Sequence, residues 1–199
     1  MIEHLERRYR VAVWIVIASE AMLFSGLFAL YTCYRAEYPL AFDAGVQADI
    51  QWIGGLNTFI LLTSSFAIAW AIHLIRGGRM RGVGWGLVAV LALGMAFLVF
   101  KLVEWGIHIH DGIVPGTAYA GPSHGPGTTL FFTLYYGMTG LHALHVIAGL
   151  ALVAWVAHRV RRRTITTDNH VALELVALYW HFVDAVWVFL WPMFYLMHG

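Results

Sequence analysis

Five long apolar runs constrain the fold of this chain more than any other feature of the sequence. They cover about residues 11–34, 53–75, 83–107, 130–157 and 172–197. Each is long enough for an α-helix to cross the hydrocarbon core of a bilayer. Of the 199 residues, 60% are hydrophobic and only 12% are charged, which is about half the charged fraction of a soluble domain. The sequence therefore predicts an all-α polytopic membrane protein in which residues 1–199 form a single five-helix transmembrane domain.

The arginines are segregated between the two sides of this predicted bundle. Ten lie before the first run and in the second and fourth connections: Arg7, Arg8, Arg10, Arg76, Arg79, Arg81, Arg159, Arg161, Arg162 and Arg163. The other side carries Arg35 alone. Because cytoplasmic loops carry an excess of Lys and Arg, we expect the N-terminus in the cytoplasm. An odd number of spans then places the C-terminus outside.

The last apolar run contains three ionisable residues, Glu174, His181 and Asp184. At 100° per residue in an α-helix they fall within about 80° of one another. An ionisable side chain in hydrocarbon costs about 3 kcal/mol or more, so it normally faces protein or trapped water. The pattern predicts a polar inner face on the last helix, which either carries chemistry or fixes helix packing.

Glu20 lies in the middle of the first run, directly after Ser19. A carboxyl at membrane depth is a candidate for function because idle ionisable groups are costly there. Two interpretations stay open. Glu20 handles protons or organises water, or it forms a hydrogen bond between helices that contributes only to packing.

Two histidines, His142 and His145, lie one turn apart in the fourth run. This spacing occurs in the metal sites of helical bundles, but those sites also need carboxylates and a second matching set of ligands, which the chain lacks. Haem ligation would require axial histidines that face each other across helices. The sequence favours histidines that form hydrogen bonds between helices.

Other polar residues give weaker signals. Lys101 and Glu104, one turn apart in the third run, are interpreted as a structural ion pair. The connection from 108 to 129 is rich in Gly, Pro and His, and it contains four possible metal ligands without a compact spacing: His108, His110, Asp111 and His124. A single cysteine, Cys33, excludes a multi-cysteine site. We therefore predict no metal site and no catalytic residue in this chain.

Motifs in the same order along the chain resemble those of one known family. They are Ser19-Glu20, Leu56-Asn57-Thr58, Glu104-Trp105, Asp111-Gly112, Phe131-Phe132, Thr139-Gly140-Leu141-His142 with His145-Val146, and Tyr179-Trp180-His181-Phe182-Val183-Asp184. This series is similar to subunit III of haem–copper terminal oxidases in its five-helix bacterial form. The chain departs from that family in Lys101 and in the long connection from 116 to 129.

The resemblance implies a non-catalytic subunit of an aerobic respiratory oxidase, most often a cytochrome c oxidase, in the bacterial cytoplasmic (inner) membrane. It implies that haem and copper lie in partner subunits, that catalytic subunit I and other oxidase subunits are its partners, and that this chain binds no cofactor itself. A phospholipid is expected in a cleft between a two-helix and a three-helix group. Support of proton uptake and stability of subunit I is the expected role.

The same resemblance assigns roles to individual residues. Glu20 corresponds to the family's buried helix glutamate, which is linked to proton uptake, and Arg159 corresponds to an arginine that contacts a lipid headgroup. The remaining candidates would form a lipid-binding or structural polar face: Glu174, His181, Asp184, His142 and His145.

Three alternatives remain at this stage. The chain could be the homologous subunit of a quinol oxidase or nitric oxide reductase complex. It could be a self-sufficient membrane haem or iron enzyme that uses Glu20 with His142, His145 and His181. It could also be a small proton- or ion-conducting protein built on its intramembrane carboxyls.

Overall fold

Six α-helices make up the described part of this chain. The computed structural model describes residues 2–114, 125–167 and 169–197, and these contain no strand. The helices are α1 (Ile2–Glu37), α2 (Pro39–Ala48), α3 (Gln51–Arg76), α4 (Met80–His110), α5 (Pro126–Arg161) and α6 (Val171–Tyr195). Five of them, α1 from Arg7 onward and α3 to α6, are long and apolar enough to cross a membrane. The predicted all-α fold with five membrane-spanning helices is confirmed.

Glycine and proline lie at the positions in the connections between helices where the backbone conformation favours them. The first connection on the arginine-rich side passes through Gly78, whose φ of 73° lies in the left-handed region, which glycine adopts without steric cost. Gly112 has the same role after α4, with a φ of 75°. α5 begins with Pro126, a residue that suits the first helical turn because its missing N–H would have no helical partner.

The short helix α2 was not predicted from the sequence. Pro39 starts it, and it buries Phe42, Gly45 and Val46. It packs across the ends of α5 and α6. We call this the α2 end of the protein, and we call the opposite end, marked by Arg10, the arginine-rich end.

The spanning helices are grouped as four plus one. α3 packs on α4 and α6, and α5 packs on the same two helices, so α3 to α6 form a closed bundle. α1 packs on α5 and α6 from outside, and its described backbone stays farther than 8 Å, Cα to Cα, from α3 and α4. The expected division into a two-helix and a three-helix group is therefore not observed among the described helices. The first two spanning helices, α1 and α3, do not pack on each other over their described residues, because α2 contacts α5 and α6 and so crosses the end of the bundle between them.

Two tryptophans of α6 fill the centre of the four-helix bundle. Trp180 and Trp187 are fully buried. The indole N–H of Trp180 donates to Ser64 Oγ over 3.0 Å, and that of Trp187 donates to Thr58 Oγ1 over 3.0 Å. Each ring thus fills a large volume while its polar atom is satisfied by α3, which fixes the rotation of α6 about its axis.

Gly45→Ala should destabilise the packing of α2 against α5. A Cβ at Gly45 would overlap the ring of the buried Phe131, with Cγ of that ring 2.6 Å away. Overpacking of this kind costs about 1–3 kcal/mol, against a gain of up to about 1 kcal/mol in helix propensity. We expect the midpoint of thermal unfolding in mild detergent to fall by a few degrees, at about 2–4 °C per kcal/mol. Gly137→Ala is the matched control, because a Cβ there meets no described atom within 4 Å; an equal fall in both variants would contradict this account.

Candidate functional site

Glu174 lies in the first turn of α6, at the arginine-rich end. Its carboxylate accepts from Arg10 Nη2 at 3.1 Å and from Arg76 Nη2 at 2.8 Å, and His170 Nε2 lies 3.3 Å away. The two guanidinium groups are largely exposed, so each pair contributes about 1 kcal/mol or less. Glu174 therefore connects α1, α3 and α6 at the membrane edge and does not lie in the interior of the bundle.

His181 and Asp184 lie deeper, on the side of α6 that faces α3. His181 Nδ1 is 2.6 Å from Ser65 Oγ. The Ser65 hydroxyl also approaches the buried carboxyl of Asp184, without meeting hydrogen-bond geometry in the described part of the chain. The face predicted from helical periodicity is thus spread along the helix from the membrane edge inward, and the structure does not gather its three ionisable residues into one cluster.

His142 does not form the interhelical hydrogen bond that the sequence favoured, as far as the described residues show. Its ring is fully buried, and among described residues neither ring nitrogen has a hydrogen-bond partner. It packs instead against Phe97 and Trp187, with ring centroids 5.6 Å and 5.2 Å away. This histidine therefore acts as an aromatic component of the core.

His145 and Glu20 form the interhelical contact that the sequence only suggested. Nε2 of His145 lies 3.0 Å from Oε2 of Glu20, which links α5 to α1. The other nitrogen, Nδ1, lies 2.8 Å from the carbonyl oxygen of Leu141. Because a carbonyl can only accept, Nδ1 carries a proton. The Nε2–Oε2 contact then holds one further proton, which belongs either to the carboxyl or to the imidazole.

An apolar groove of about 620 Å³ runs beside this pair, between α1, α5 and α6. It is lined by Ala12, Val13, Val16, Ala148, Ala151, Leu152, Leu175, Val176 and Tyr179. Glu20 follows the groove residue Val16 by one helical turn, and His145 precedes Ala148 by one turn. The groove therefore ends at the Glu20–His145 pair, whose side chains are 27% and 13% exposed.

The other end of this groove approaches the arginine-rich end. Arg7 and Arg8 line a neighbouring cavity that shares Ala12 with the groove. On α5, the exposed Arg159 packs over the Trp155 ring, 5.4 Å from its centroid, on the helical stripe that continues from the groove. Cationic side chains from α1 and α5 therefore flank the groove near the membrane surface.

A second polar cluster lies buried at the α2 end. The predicted ion pair is present, with Lys101 Nζ 3.2 Å from Glu104 Oε2 and both side chains almost fully buried. Tyr135 and Tyr195 donate to Glu104 Oε1 at 2.7 Å and 2.5 Å. Lys101 donates to the same two hydroxyls at 3.0 Å and 2.6 Å. The pair is thus embedded in a hydrogen-bond network from three helices, α4, α5 and α6.

Asp49 and His108 extend this cluster, and the sequence analysis did not connect them. Asp49 ends α2 and His108 lies in the last turn of α4; both side chains are buried, with Oδ1 and Nε2 3.4 Å apart. Burial in a low-dielectric environment raises the pKa of Asp49 well above its usual range. The only signal in the sequence was the four-residue spacing of Glu104 and His108, which places both on one face of a helix.

The metal ligands considered in the connection after α4 are not brought together in the described residues. His110 and Asp111 are exposed, at 87% and 58%, and they lie at the surface, whereas His108 is buried. His124 lies outside the described residues. A site made of these four residues is therefore not supported by the positions of the three that are described.

Comparison with known proteins gives a consistent result. The family model described as cytochrome c oxidase subunit III matches residues 3–198. Cytochrome c oxidase subunit 3 of Synechocystis sp. is 31% identical over 96% of this chain and 76% of its own length. That of Thermostichus vulcanus and quinol oxidase subunit 3 of Bacillus subtilis are each 29% identical, over 92% of this chain and 84% of their own. The chain therefore belongs to the cytochrome c oxidase subunit III family of haem–copper oxidases.

Proposed function

We propose that this chain is a non-catalytic subunit of an aerobic respiratory oxidase that binds phospholipid and supports proton uptake by, and stability of, catalytic subunit I. Its family, subunit III of haem–copper oxidases, carries in general no cofactor of its own, so haem and copper are assigned to partner subunits. The observation that carries the proposed role is the Glu20–His145 pair at the end of an apolar groove.

The proton role is supported by the hydrogen-bond geometry of this pair. Since Nδ1 of His145 keeps its proton on the Leu141 carbonyl, a proton at the Nε2–Oε2 contact can reside on either residue without a change in geometry. Groups that hold a proton in this way suit proton transfer in membrane proteins. The partial exposure of both side chains allows water or a partner subunit to reach the pair.

The lipid role is supported by the groove beside the pair. Its walls are apolar and rich in alanine, which suits an acyl chain. Arg7, Arg8 and Arg159 lie toward the membrane surface at its arginine-rich end, and each basic residue near such a surface attracts anionic lipid by about 1 kcal/mol. We assign an anionic phospholipid to this place, with its acyl chain in the groove and its headgroup near the arginines.

We place the protein in the bacterial cytoplasmic membrane, with its arginine-rich end in the cytoplasm. The excess of arginine on that side supports this orientation, and the relatives named above are bacterial subunits. For the electron donor we favour cytochrome c, because six of eight related subunits compared with this chain are cytochrome c oxidase subunits. Quinol is the second candidate, since quinol oxidase subunits match the chain at a comparable identity.

Native mass spectrometry of the complex purified through a tag on this chain tests both parts of the proposal. We expect a haem-containing partner and a retained anionic phospholipid. Arg159→Gln should lower the retained lipid about fivefold, which corresponds to about 1 kcal/mol. Arg161→Gln is the control, because it removes the same charge from the last residue of α5, where two residues of helix turn the side chain about 200° away from Arg159 toward Met80 and Arg81.

Two outcomes would contradict the proposal. Equal retention of lipid in both variants would show that Arg159 does not bind the headgroup. A chain that purifies alone, without a haem-containing partner, would contradict the oxidase assignment itself.

Oxygen consumption by the purified complex with reduced cytochrome c or with quinol identifies the donor.

A further inference from the structure

We infer that Asp49, Glu104 and His108 form a binding site for a divalent transition-metal ion, with Zn²⁺ as the best match. One ligand atom from each residue lies within 4.8 Å of the other two, and all three residues are buried. Asp49 comes from the end of α2, while Glu104 and His108 lie one turn apart on α4. This inference is independent of the lipid and proton roles, and it contradicts the expectation that the chain holds no metal.

Two of the three residues of this site, Asp49 and His108, lack other hydrogen-bond partners in the described part of the chain. Both carboxylate oxygens of Asp49 and both ring nitrogens of His108 are buried without a hydrogen-bond partner among the described residues. Nearly all buried polar groups in folded proteins have such a partner, so four adjacent unsatisfied atoms need an explanation. A cation between the two side chains satisfies an oxygen of Asp49 and a nitrogen of His108 at once.

The geometry fits a small tetrahedral ion. Zn²⁺ binds imidazole nitrogen and carboxylate oxygen at about 2.0–2.2 Å, so two of its tetrahedral ligands lie about 3.4 Å apart. Oδ1 of Asp49 and Nε2 of His108 are separated by 3.4 Å, which is one edge of such a tetrahedron. Glu104 supplies the third ligand, since one of its carboxylate oxygens lies within 4.8 Å of the other two ligand atoms and a carboxylate can accept hydrogen bonds and bind an ion at the same time; water completes the set.

The donor types select among metals. An imidazole nitrogen disfavours Mg²⁺ and Ca²⁺, which prefer oxygen ligands throughout. The site contains no thiolate, so it does not favour soft ions such as Cu(I). One histidine with two carboxylates also binds Fe²⁺, Mn²⁺ and Ni²⁺, but the 3.4 Å edge between Asp49 and His108 matches a tetrahedral ion best, which favours Zn²⁺, with Co²⁺ as its spectroscopic substitute.

Charge and outer contacts support the same conclusion. In the metal-bound form, the ionised carboxylates of Asp49 and Glu104 exceed the single ammonium of Lys101 by one negative charge, which the cation offsets. Lys101 cannot also bind Asp49, because its three donors are used by Glu104, Tyr135 and Tyr195. These contacts instead orient the Glu104 carboxylate, as outer-shell hydrogen bonds do for metal ligands. A bound ion would attach the end of α2 to α4.

To test the inference, the purified complex is equilibrated with Zn²⁺, and the bound zinc is then measured by elemental mass spectrometry. We expect one bound ion per chain in the unsubstituted protein. In Asp49→Asn and in His108→Gln this ion should be lost, because the affinity for Zn²⁺ falls at least about 100-fold. His110→Gln is the matched control: it removes the same side chain from the same helix end, where it is exposed. The inference would be overturned if the unsubstituted protein bound no zinc, or if the two ligand variants bound as much zinc as the unsubstituted protein. An equal loss in His110→Gln would overturn it as well.

A second measurement decides the question if the ligand variants do not fold. Co²⁺ added to the unsubstituted complex should show the visible absorption of a tetrahedral site. X-ray absorption at the cobalt edge should give one imidazole with oxygen ligands. If all ligand atoms of the cobalt ion were oxygen, or if the ion had six ligands, the assignment would be wrong.

Discussion

Lys101→Met is expected to destabilise the protein by about 3–5 kcal/mol, because it leaves a buried charge without its partner. Lys101 and Glu104 are almost fully buried and 3.2 Å apart, so Glu104 cannot turn to water when the ammonium is removed. The measurement is the midpoint of thermal unfolding in mild detergent, followed by tryptophan fluorescence. At about 2–4 °C per kcal/mol, the midpoint should fall by roughly 6–20 °C.

Two further variants separate charge from packing. In the double variant Lys101→Met with Glu104→Gln, no charge is left at this position, and the tyrosine hydroxyls can still donate to the amide oxygen. Most of the lost stability should return. Arg76→Met removes a cation from the exposed pair with Glu174, and its effect should stay within about 1 kcal/mol. If Lys101→Met were as stable as Arg76→Met, the buried pair would not contribute as we describe.

Hydropathy and charge were sufficient to predict the five spanning helices. Each apolar run in the sequence is long enough to cross a bilayer, and this criterion does not depend on how the helices pack. The observed helices extend beyond several predicted ends: α5 starts at Pro126, and α4 continues to His110. Hydropathy misses such turns because they lie outside the hydrocarbon region, where polar residues are tolerated.

The contacts between helices could not be predicted in the same way. Glu20 and His145 were each singled out, but 125 residues separate them, and periodicity describes only one helix at a time. α2 was missed because its ten residues are too few for a span. As a result, the four-plus-one grouping and the burial of Asp49 were missed as well. Both depend on α2 packing across α5 and α6.

The second large effect is expected from Glu20→Ala in the purified oxidase. The haem spectrum should not change, because haem is assigned to partner subunits. Loss of the Glu20–His145 contact removes the polar link between α1 and α5, and a hydrogen bond to a charged group contributes about 1.5–3 kcal/mol. At tenfold per 1.36 kcal/mol, separation of these helices becomes at least about tenfold more frequent. We therefore expect the number of turnovers before inactivation to fall by about that factor.

Glu20→Gln distinguishes the two roles of this residue. Glutamine keeps a hydrogen bond to His145 but cannot hold or release a proton at pH 7. We expect its active life to stay near that of the unsubstituted enzyme, while proton uptake, followed by stopped-flow with a pH dye, slows as in Glu20→Ala. Ser19→Ala is the control, since among the described residues that exposed hydroxyl donates only to the Val16 carbonyl of its own helix. If both Glu20 variants retained normal proton uptake and lifetime, Glu20 would be a packing residue, and the proton role proposed for this subunit would be wrong.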